Sequence, residues 1–317
     1  MGKNGTRKSL ITVSVFGMYF NIISSVNLNN SILTKVRLDY ELLLLIGGTY
    51  VIIPKVVSIR LVWRMEEIMS KYIKELDISY ETLGQGKPFI IFHGWGCSKE
   101  MFKFLLDHYK NKYKVYAFDL PGFGGSKEPK SVMNTEAYCD RMIEALEYLG
   151  IKNPIGLGHS FGGRILIKMS TKIKFDKLIL TGSAGVVDPK PLRYYVKVYT
   201  YKGLKKCYKI GLVKKLFPTL LDKYRKNAGS ADYNNASEMM KQVLSVSVNE
   251  DIRGDFSKVT VPTLLIWGDK DSATPLSHAK LMEKEMQDAG LVIFEGGTHF
   301  AFLEQGNRFL TVLDAFI

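Results

Sequence analysis

From residue 76 to the end of the chain, short apolar runs alternate with segments whose apolar positions recur at helical spacing. The runs are bounded by Gly, Pro, Asn or Asp, which is typical of buried strands. Apolar strands that alternate with helices predict an α/β fold, a mostly parallel sheet with helices on both faces. The predicted strands cover residues 77–81, 88–92, 115–118, 154–157, 177–181, 262–267 and 291–294, and the predicted helices cover residues 102–109, 135–149, 164–169, 276–286 and 307–316.

The alternation stops between residues 188 and 256, where no strand is predicted. Apolar positions recur there at helical spacing, at Tyr208 and Leu212 in one stretch and at Met239 and Val243 in another. A helical block inserted between two late strands predicts a cap over the carboxyl edge of the sheet, where ligands bind in open α/β sheets. The predicted division is an N-terminal extension at 1–75, a core at 76–187 and 257–317, and a helical cap at 188–256.

The N-terminal extension carries two long apolar stretches. No charged residue occurs from residue 9 to 34, and a second apolar run covers residues 42–53. Roughly 20 apolar residues suffice to cross a bilayer, so residues 10–28 are long enough. Two crossings would anchor residues 9–63 to the inner face of the cell membrane, with basic residues on the cytoplasmic side. A signal peptide and an extra helical layer on a soluble protein stay open as alternatives.

Composition narrows the classes of function. Apolar residues make up 46% of the 317 residues, which is enough for a sizeable core. The net charge of +13 comes mostly from 34 lysines against 10 arginines. Because nucleic-acid sites favour arginine, we predict no nucleic-acid partner. Three widely spaced cysteines predict neither a disulfide framework nor a zinc site, and they indicate a reducing compartment.

The predicted cap is strongly basic. Between residues 190 and 226 there are twelve basic residues and one acidic residue, Asp222. Such lysines could attract anionic lipid or acidic substrates. They are also typical of the solvated faces of amphipathic helices, and we favour that interpretation.

The six residues Gly158-His159-Ser160-Phe161-Gly162-Gly163 lie between a predicted strand and a predicted helix. The G-x-S-x-G spacing indicates a sharp strand-to-helix turn, in which the small residues leave room for strained backbone at the serine. Such a turn exposes the Ser160 hydroxyl at the carboxyl edge of the sheet, with a helix N-terminus behind it. Ser160 is therefore a candidate nucleophile.

A serine nucleophile needs a base within hydrogen-bonding reach, and a carboxylate that orients the base. His299 follows the last predicted strand, and Asp269 and Asp271 both follow the strand before it. Three strand ends thus bring Ser, Asp and His, in that chain order, to one edge of the sheet. From position alone, either aspartate could orient the base.

At this point the chain, from about residue 77 to its end, resembles the α/β-hydrolase superfamily, in its serine-nucleophile, lidded esterase and haloperoxidase-like branch. The resemblance implies Ser160 as nucleophile, His299 as base and then acid, and Asp271 as the orienting carboxylate. Asp269 is the close alternative and Asp188 a remote one. The matching motifs are His93-Gly94-Trp95-Gly96, the run from Asp119 to Ser126, the motif around Ser160, Gly268-Asp269-Lys270-Asp271 and Gly297-Thr298-His299-Phe300.

The resemblance also implies an oxyanion hole formed by the backbone N–H groups of Trp95 and Phe161, with the Trp95 indole lining the acyl pocket. Other polar residues of the motifs receive structural interpretations. We expect His93 and His159 to brace loops and Asp119 to hold a tight turn. The remaining histidines, among them His278, are expected at the surface of helices.

The sequence therefore predicts a serine hydrolase that cleaves a small or medium acyl ester or thioester through an acyl-enzyme intermediate. No cofactor and no metal is needed, because the nucleophile, base and oxyanion donors are all protein groups. A carbon–carbon bond hydrolase of the same fold and a non-catalytic lipid-binding or scaffold module remain as alternatives.

Overall fold

The computed structural model describes residues 7–15, 18–26, 42–46, 49–53, 69–189, 192–208, 219 and 231–317. The chain divides into two compact units, residues Met1–Met65 and Glu66–Ile317. Each unit is described by itself below.

The first unit contains two antiparallel hairpins in its described residues. Strand β1 (Arg7–Val15) pairs with β2 (Met18–Val26), and β3 (Leu42–Ile46) pairs with β4 (Thr49–Ile53). Strands therefore occupy the described parts of both apolar stretches, where the sequence led us to expect helices. Residues 16–17, 27–41, 47–48 and 54–63 of the predicted anchor lie outside the described residues. Within the described part of the whole chain, no helix is long and apolar enough to span a membrane.

The second unit is built on an eight-stranded sheet, in the order β12-β11-β10-β9-β7-β8-β6-β5. The six strands from β7 to β12 run parallel, whereas β6 runs antiparallel to both of its neighbours. The predicted mostly parallel sheet is confirmed. The strands are β5 (Met69–Ile73), β6 (Ile78–Leu83), β7 (Lys87–Phe92), β8 (Tyr113–Phe118), β9 (Ile155–His159), β10 (Lys177–Thr181), β11 (Thr263–Gly268) and β12 (Ala289–Phe294).

Helices cover both faces of this sheet, as the sequence predicted. Successive residues of a strand point to opposite faces, so Ile90 and Phe92 join one buried cluster while Phe89 and Ile91 join another. The helices of the core are α1 (Lys103–Tyr109), α2 (Thr135–Tyr148), α3 (Phe161–Ser170), α7 (Leu276–Glu285), α8 (Ala301–Glu304) and α9 (Gly306–Phe316). The three helices that lie between α3 and α7 in the chain belong to the insertion between β10 and β11.

The insertion between β10 and β11 is helical in its described residues. It contains α4 (Leu192–Tyr208), α5 (Ala231–Asn235) and α6 (Glu238–Ser247), followed by a 3₁₀ turn at Arg253–Lys258. Helix α6 begins where the Ser237 side chain accepts a hydrogen bond from the Met240 N–H, and it buries Met240 and Val243. Leu212, which the helical spacing included, lies outside the described residues.

Candidate active site

Ser160 occupies a strained turn between β9 and α3. Its φ of 50° and ψ of −110° place a non-glycine residue in a region that L-residues rarely adopt. Hydrogen bonds hold it there: its N–H donates to the Thr181 carbonyl at 3.1 Å, and its own carbonyl accepts from Arg164 at 3.2 Å and Ala184 at 3.0 Å. A side chain at Gly162 would lie 2.4 Å from the Phe92 carbonyl oxygen, so only glycine fits on the adjacent helical turn. The turn is the one that the G-x-S-x-G spacing predicts.

Asp271 and His299 meet at the ends of β11 and β12. The His299 Nδ1–H donates to the Asp271 Oδ2 over 2.8 Å. The Asp271 side chain is fully buried, and that of His299 is 18% exposed. Burial raises the pKa of Asp271, but the hydrogen bonds from His299 and Thr274 outweigh it and hold this pKa below its usual value. A buried carboxylate thus holds the His299 ring through its Nδ1.

Thr274 completes the environment of this carboxylate, and the sequence interpretation missed it. The backbone N–H groups of Ala273 and Thr274 donate to Asp271 Oδ1 at 2.8 and 2.9 Å, and the Thr274 hydroxyl lies 2.8 Å from Asp271 Oδ2. The same hydroxyl lies 3.0 Å from the Gly182 carbonyl oxygen and 3.4 Å from His299 Nδ1. A signal was present, because an aspartate followed by Ser, Ala and Thr after a strand favours a turn capped by the aspartate side chain.

Two contacts bring the Ser160 turn next to the Asp271–His299 pair. Gly182 directly follows Thr181, whose carbonyl accepts the hydrogen bond from the Ser160 N–H. A Cβ built on Gly182 would lie 3.2 Å from both Asp271 Oδ2 and His299 Nδ1. On the other side, the His159 Nε2–H donates to the His299 carbonyl at 3.0 Å, and the two rings lie 4.7 Å apart. The three candidate residues therefore share one edge of the sheet.

His159 is buried and neutral. Burial, with a smaller effect from the neighbouring His299 ring, lowers the pKa of His159 to about 3. The neutral ring carries its proton on Nε2, because that nitrogen faces a carbonyl oxygen. His159 thus braces the loop that carries His299, in keeping with its predicted structural role.

The other two candidate carboxylates have different partners. Asp269 is exposed and accepts a hydrogen bond from the Gly296 N–H at 2.7 Å. Asp188 is 61% exposed and pairs with His278 Nε2 at 2.9 Å. His278 itself is buried, so its expected position at the surface is wrong. Of the three aspartates, Asp271 is the one hydrogen-bonded to the His299 ring.

The loop after β7 lies against Ser160. The His93 Nδ1–H donates to the Gly94 carbonyl at 2.7 Å, and His93 Nε2 accepts from the Leu120 N–H at 3.0 Å, while burial lowers the pKa of His93 to about 4. This neutral, doubly bonded ring fixes the loop. A Cβ at Gly94 would lie 3.2 Å from the Ser160 Cβ, so the loop backbone passes directly beside the serine.

The backbone N–H groups of Trp95 and Phe161 are the two oxyanion donors that the sequence predicts. Within residues 69–189, 192–208 and 231–317, neither group donates to a protein acceptor. Phe161 is the first residue of α3, where backbone N–H groups have no partner inside the helix. The two side chains pack edge to face, with ring centroids 5.5 Å apart.

A cavity of about 330 Å³ lies between this loop and the insertion. The Trp95 indole, which also packs on Phe123 at 4.9 Å, forms part of its wall. Met240 and Ala236 of the insertion form the facing part. The lining is therefore mixed, since Asn235, Ser237 and the exposed Glu128 also contribute to it.

Asp119 holds the turn that follows β8. It is fully buried, and it accepts from Lys99 Nζ at 2.6 Å and from the Gly125 N–H at 2.9 Å. Burial raises the pKa of Asp119, but the hydrogen bonds from Lys99 and Gly125 more than reverse this effect. In the part of the chain that the structure describes, no cluster of His, Cys, Asp and Glu could hold a metal ion.

Comparison with known proteins agrees with this architecture. Residues 89–312, more than half of the chain, match the sequence profile of the alpha/beta hydrolase family. The chain is 25% identical over 244 residues to a pimeloyl-[acyl-carrier protein] methyl ester esterase of Legionella pneumophila, which covers 76% of this chain and 100% of that protein.

Two solved structures share the fold. An esterase from Exiguobacterium antarcticum is 24% identical with a TM-score of 0.59, and the match covers 75% of this chain and 94% of that one. A bromoperoxidase from Bacillus anthracis is 21% identical with the same TM-score and the same coverage. The chain belongs to the alpha/beta hydrolase family and is a hydrolase of that fold.

Proposed function

We propose that this protein is a serine esterase in which Ser160, His299 and Asp271 form the catalytic triad. The observation that carries the proposal is the 2.8 Å hydrogen bond between His299 and the fully buried Asp271, beside a serine held in strained backbone. A carboxylate in this position fixes the imidazole tautomer that has its free nitrogen available as a base. Asp269 and Asp188, which bond elsewhere, are assigned no catalytic role.

The reaction begins when the Ser160 Oγ attacks the ester carbonyl carbon and its proton passes to His299 Nε2. Asp271 stabilises the imidazolium that forms. The tetrahedral intermediate collapses, the C–O bond to the alcohol breaks, and the alcohol leaves with the proton from His299. Water then attacks the acyl-Ser160 ester by the same route, so the acid is released and Ser160 regains its proton.

The negative charge of the tetrahedral intermediate needs donors that are already in place. We assign this role to the N–H groups of Trp95 and Phe161, which have no partner among the described protein groups and flank Ser160. Donors fixed in advance gain strength where charge develops, and the loss of one typically costs about 100-fold or more in rate. Phe161 also stands at the positive end of the α3 dipole.

The cavity beside Trp95 suits a small or medium acyl group. Its volume of about 330 Å³ lies at the lower end of the range for ligand pockets, and Trp95, Phe123 and Met240 form the apolar part of its lining. The insertion, by supplying Met240, acts as a cap over this pocket. The Legionella pneumophila relative is named for a methyl ester, so esters with small alcohol groups are the first substrates to test.

The test is a fluorophosphonate probe, which labels only an activated serine. Wild type is expected to be labelled and Ser160→Ala is not, while a series of p-nitrophenyl esters of increasing acyl length should show an optimum at small or medium length. If folded wild-type protein takes no label, the result contradicts the proposal and favours a non-catalytic module. Labelling without hydrolysis of any ester in the series would instead direct attention to carbon–carbon bond cleavage.

A further inference from the structure

Helix α4 exposes apolar side chains that a helix on a protein surface normally buries. Leu192 is 80% exposed, Tyr199 66% and Val196 58%. Together with Tyr195 they make up four of the eleven large exposed hydrophobic residues in the described part of the chain. A concentration of this kind on one helix marks an interaction site more often than chance exposure does.

These side chains lie on one face of the helix. With about 3.6 residues per turn, the four apolar residues and the two lysines Lys202 and Lys206 fall within an arc of about 120°. The opposite side carries the half-buried residues Val198, Tyr201, Leu204 and Tyr208. Helix α4 therefore has one apolar stripe toward the protein and a second one toward solvent, a pattern that an ordinary amphipathic surface helix lacks.

The charges on the same helix are all positive. Residues 192–208 include Arg193, Lys197, Lys202, Lys205 and Lys206 and no acidic residue. The outward face, which we call the α4 face, thus has apolar residues in its first half and the exposed lysines Lys202 and Lys206 in its second half. The Lys202 ammonium also lies 5.5 Å from the Tyr199 ring centroid, so the two halves are in contact.

We infer that the α4 face binds the surface of an anionic lipid bilayer. Aliphatic side chains can enter the acyl boundary, tyrosine rings suit the headgroup level, and lysines extend their stems while their ammonium groups meet anionic headgroups. A second copy of this chain is disfavoured, because a two-fold interface would set the lysines of one α4 against those of the other, and α4 contains no acidic residue to pair with them. The inference concerns binding and does not rest on the proposed esterase activity.

The experiment is co-sedimentation of the full chain with two kinds of vesicle, phosphatidylcholine alone and phosphatidylcholine mixed with phosphatidylglycerol. Wild type is expected to bind the mixed vesicles at low salt and to lose this binding as salt rises. Lys202→Glu with Lys206→Glu should weaken binding at least about tenfold. Val196→Asn with Tyr199→Ser should weaken it by about tenfold as well, since apolar burial also contributes.

Matched controls carry the same changes elsewhere. Lys280→Glu with Lys284→Glu reverses two exposed lysines on α7, and Tyr148→Ser removes an exposed tyrosine at the end of α2. Both controls should bind as wild type does. All variants should give the wild-type circular dichroism spectrum and urea unfolding midpoint, which shows that they are folded and keeps this test separate from that of the esterase proposal.

Several results would overturn the inference. These are no vesicle binding by wild type, equal binding to the two kinds of vesicle, α4 variants that bind as well as the controls, or retention by poly-glutamate in place of vesicles. The last result would assign the α4 face to an acidic protein partner.

Discussion

Besides the exposed pair of His108 with Asp314, two aspartate–histidine pairs lie in the second unit with almost the same nitrogen–oxygen distance. Asp271 and His299 are 2.8 Å apart, and Asp188 and His278 are 2.9 Å apart. In both, an imidazole nitrogen faces a single carboxylate oxygen, so the distance alone does not distinguish them.

The surroundings of the two carboxylates differ. Asp271 is fully buried and accepts from two backbone N–H groups and the Thr274 hydroxyl besides His299. Asp188 is 61% exposed. The histidines differ in the opposite sense: the side chain of His278 is 7% exposed, and that of His299 is 18% exposed. A buried carboxylate with several donors can orient an accessible imidazole, whereas an exposed carboxylate beside a buried imidazole forms a structural contact.

Neutralising each carboxylate in turn tests most directly whether the two pairs have different roles. Asp271→Asn should lower kcat for a p-nitrophenyl ester by about 10⁴-fold, because the amide favours the wrong imidazole tautomer. Asp188→Asn, the matched control, should leave kcat close to wild type. Equal losses in the two variants, or a greater loss in Asp269→Asn, would contradict the assignment.

Two buried histidines outside these pairs contribute to the pH dependence of folding. The pKa values of His93 and His159 fall to about 4 and about 3 in the fold, below the value of about 6.5 in an unfolded chain. Below pH 6.5 the unfolded chain binds protons that the folded protein does not, so stability falls as the pH decreases. Between pH 7.5 and pH 5 each histidine should lower the free energy of unfolding by about 2 kcal/mol.

Urea unfolding at the two pH values measures this effect. His159→Gln can place an amide N–H near the position of Nε2, as a donor for the His299 carbonyl, and it removes the titrating ring, so its stability should depend less on pH than that of wild type. The same pH dependence in wild type and variant would contradict the prediction.

Substitutions at Thr274 test how much its hydroxyl contributes to the environment of the Asp271 carboxylate. Thr274→Val keeps the shape but removes the hydroxyl, and it should lower kcat by about tenfold and stability by about 1–2 kcal/mol. Thr274→Ser should restore both. Because the pKa of Asp271 is lowered in the fold, its contribution to stability is present above its usual pKa and is lost as the pH falls through the lowered value.

The stability difference between wild type and Thr274→Val should therefore shrink in acid. Unfolding curves at neutral and acid pH measure it. A difference that is constant with pH would assign Thr274 to packing alone.

The smallest effect is expected at the second pair. His278→Asn removes the contact with an exposed carboxylate, which is worth about 1 kcal/mol or less, and should leave kcat unchanged. Urea unfolding and ester hydrolysis of the same preparation measure both values. A large fall in kcat would show that the two pairs are functionally coupled.

The core strands were predictable because they are short apolar runs between turn residues. Strands β7 to β12 lie where the pattern placed them, within a few residues at their ends. Strand β5 was missed, since Met69–Ile73 includes Ser and Lys and lies at the edge of the sheet, where burial imposes little on the sequence. The sheet therefore begins before the expected boundary at residue 76.

In the first 53 residues, the apolar pattern could not identify the type of secondary structure. An uncharged apolar stretch satisfies both the length of a membrane helix and the composition of strands, and a short apolar pattern does not separate the two. The described residues there form hairpins.

The positions of Ser160, Asp271 and His299 at one edge followed from strand order, because parallel strands end on the same side. Their partners did not follow from it. The roles of Thr274 and His278 depend on contacts formed only in the fold, and His278 meets an aspartate 90 residues away in the chain.

The φ of 50° at Ser160 affects which substitutions evolution favours at this position. A non-glycine residue in such a conformation costs about 1–3 kcal/mol, and glycine at this position would relieve most of it. Selection for folding alone therefore favours glycine at position 160, and selection for the serine hydroxyl opposes it. Among descendants of this chain, a serine kept at position 160 would indicate that the reaction is still under selection, and a glycine there would indicate that it is not.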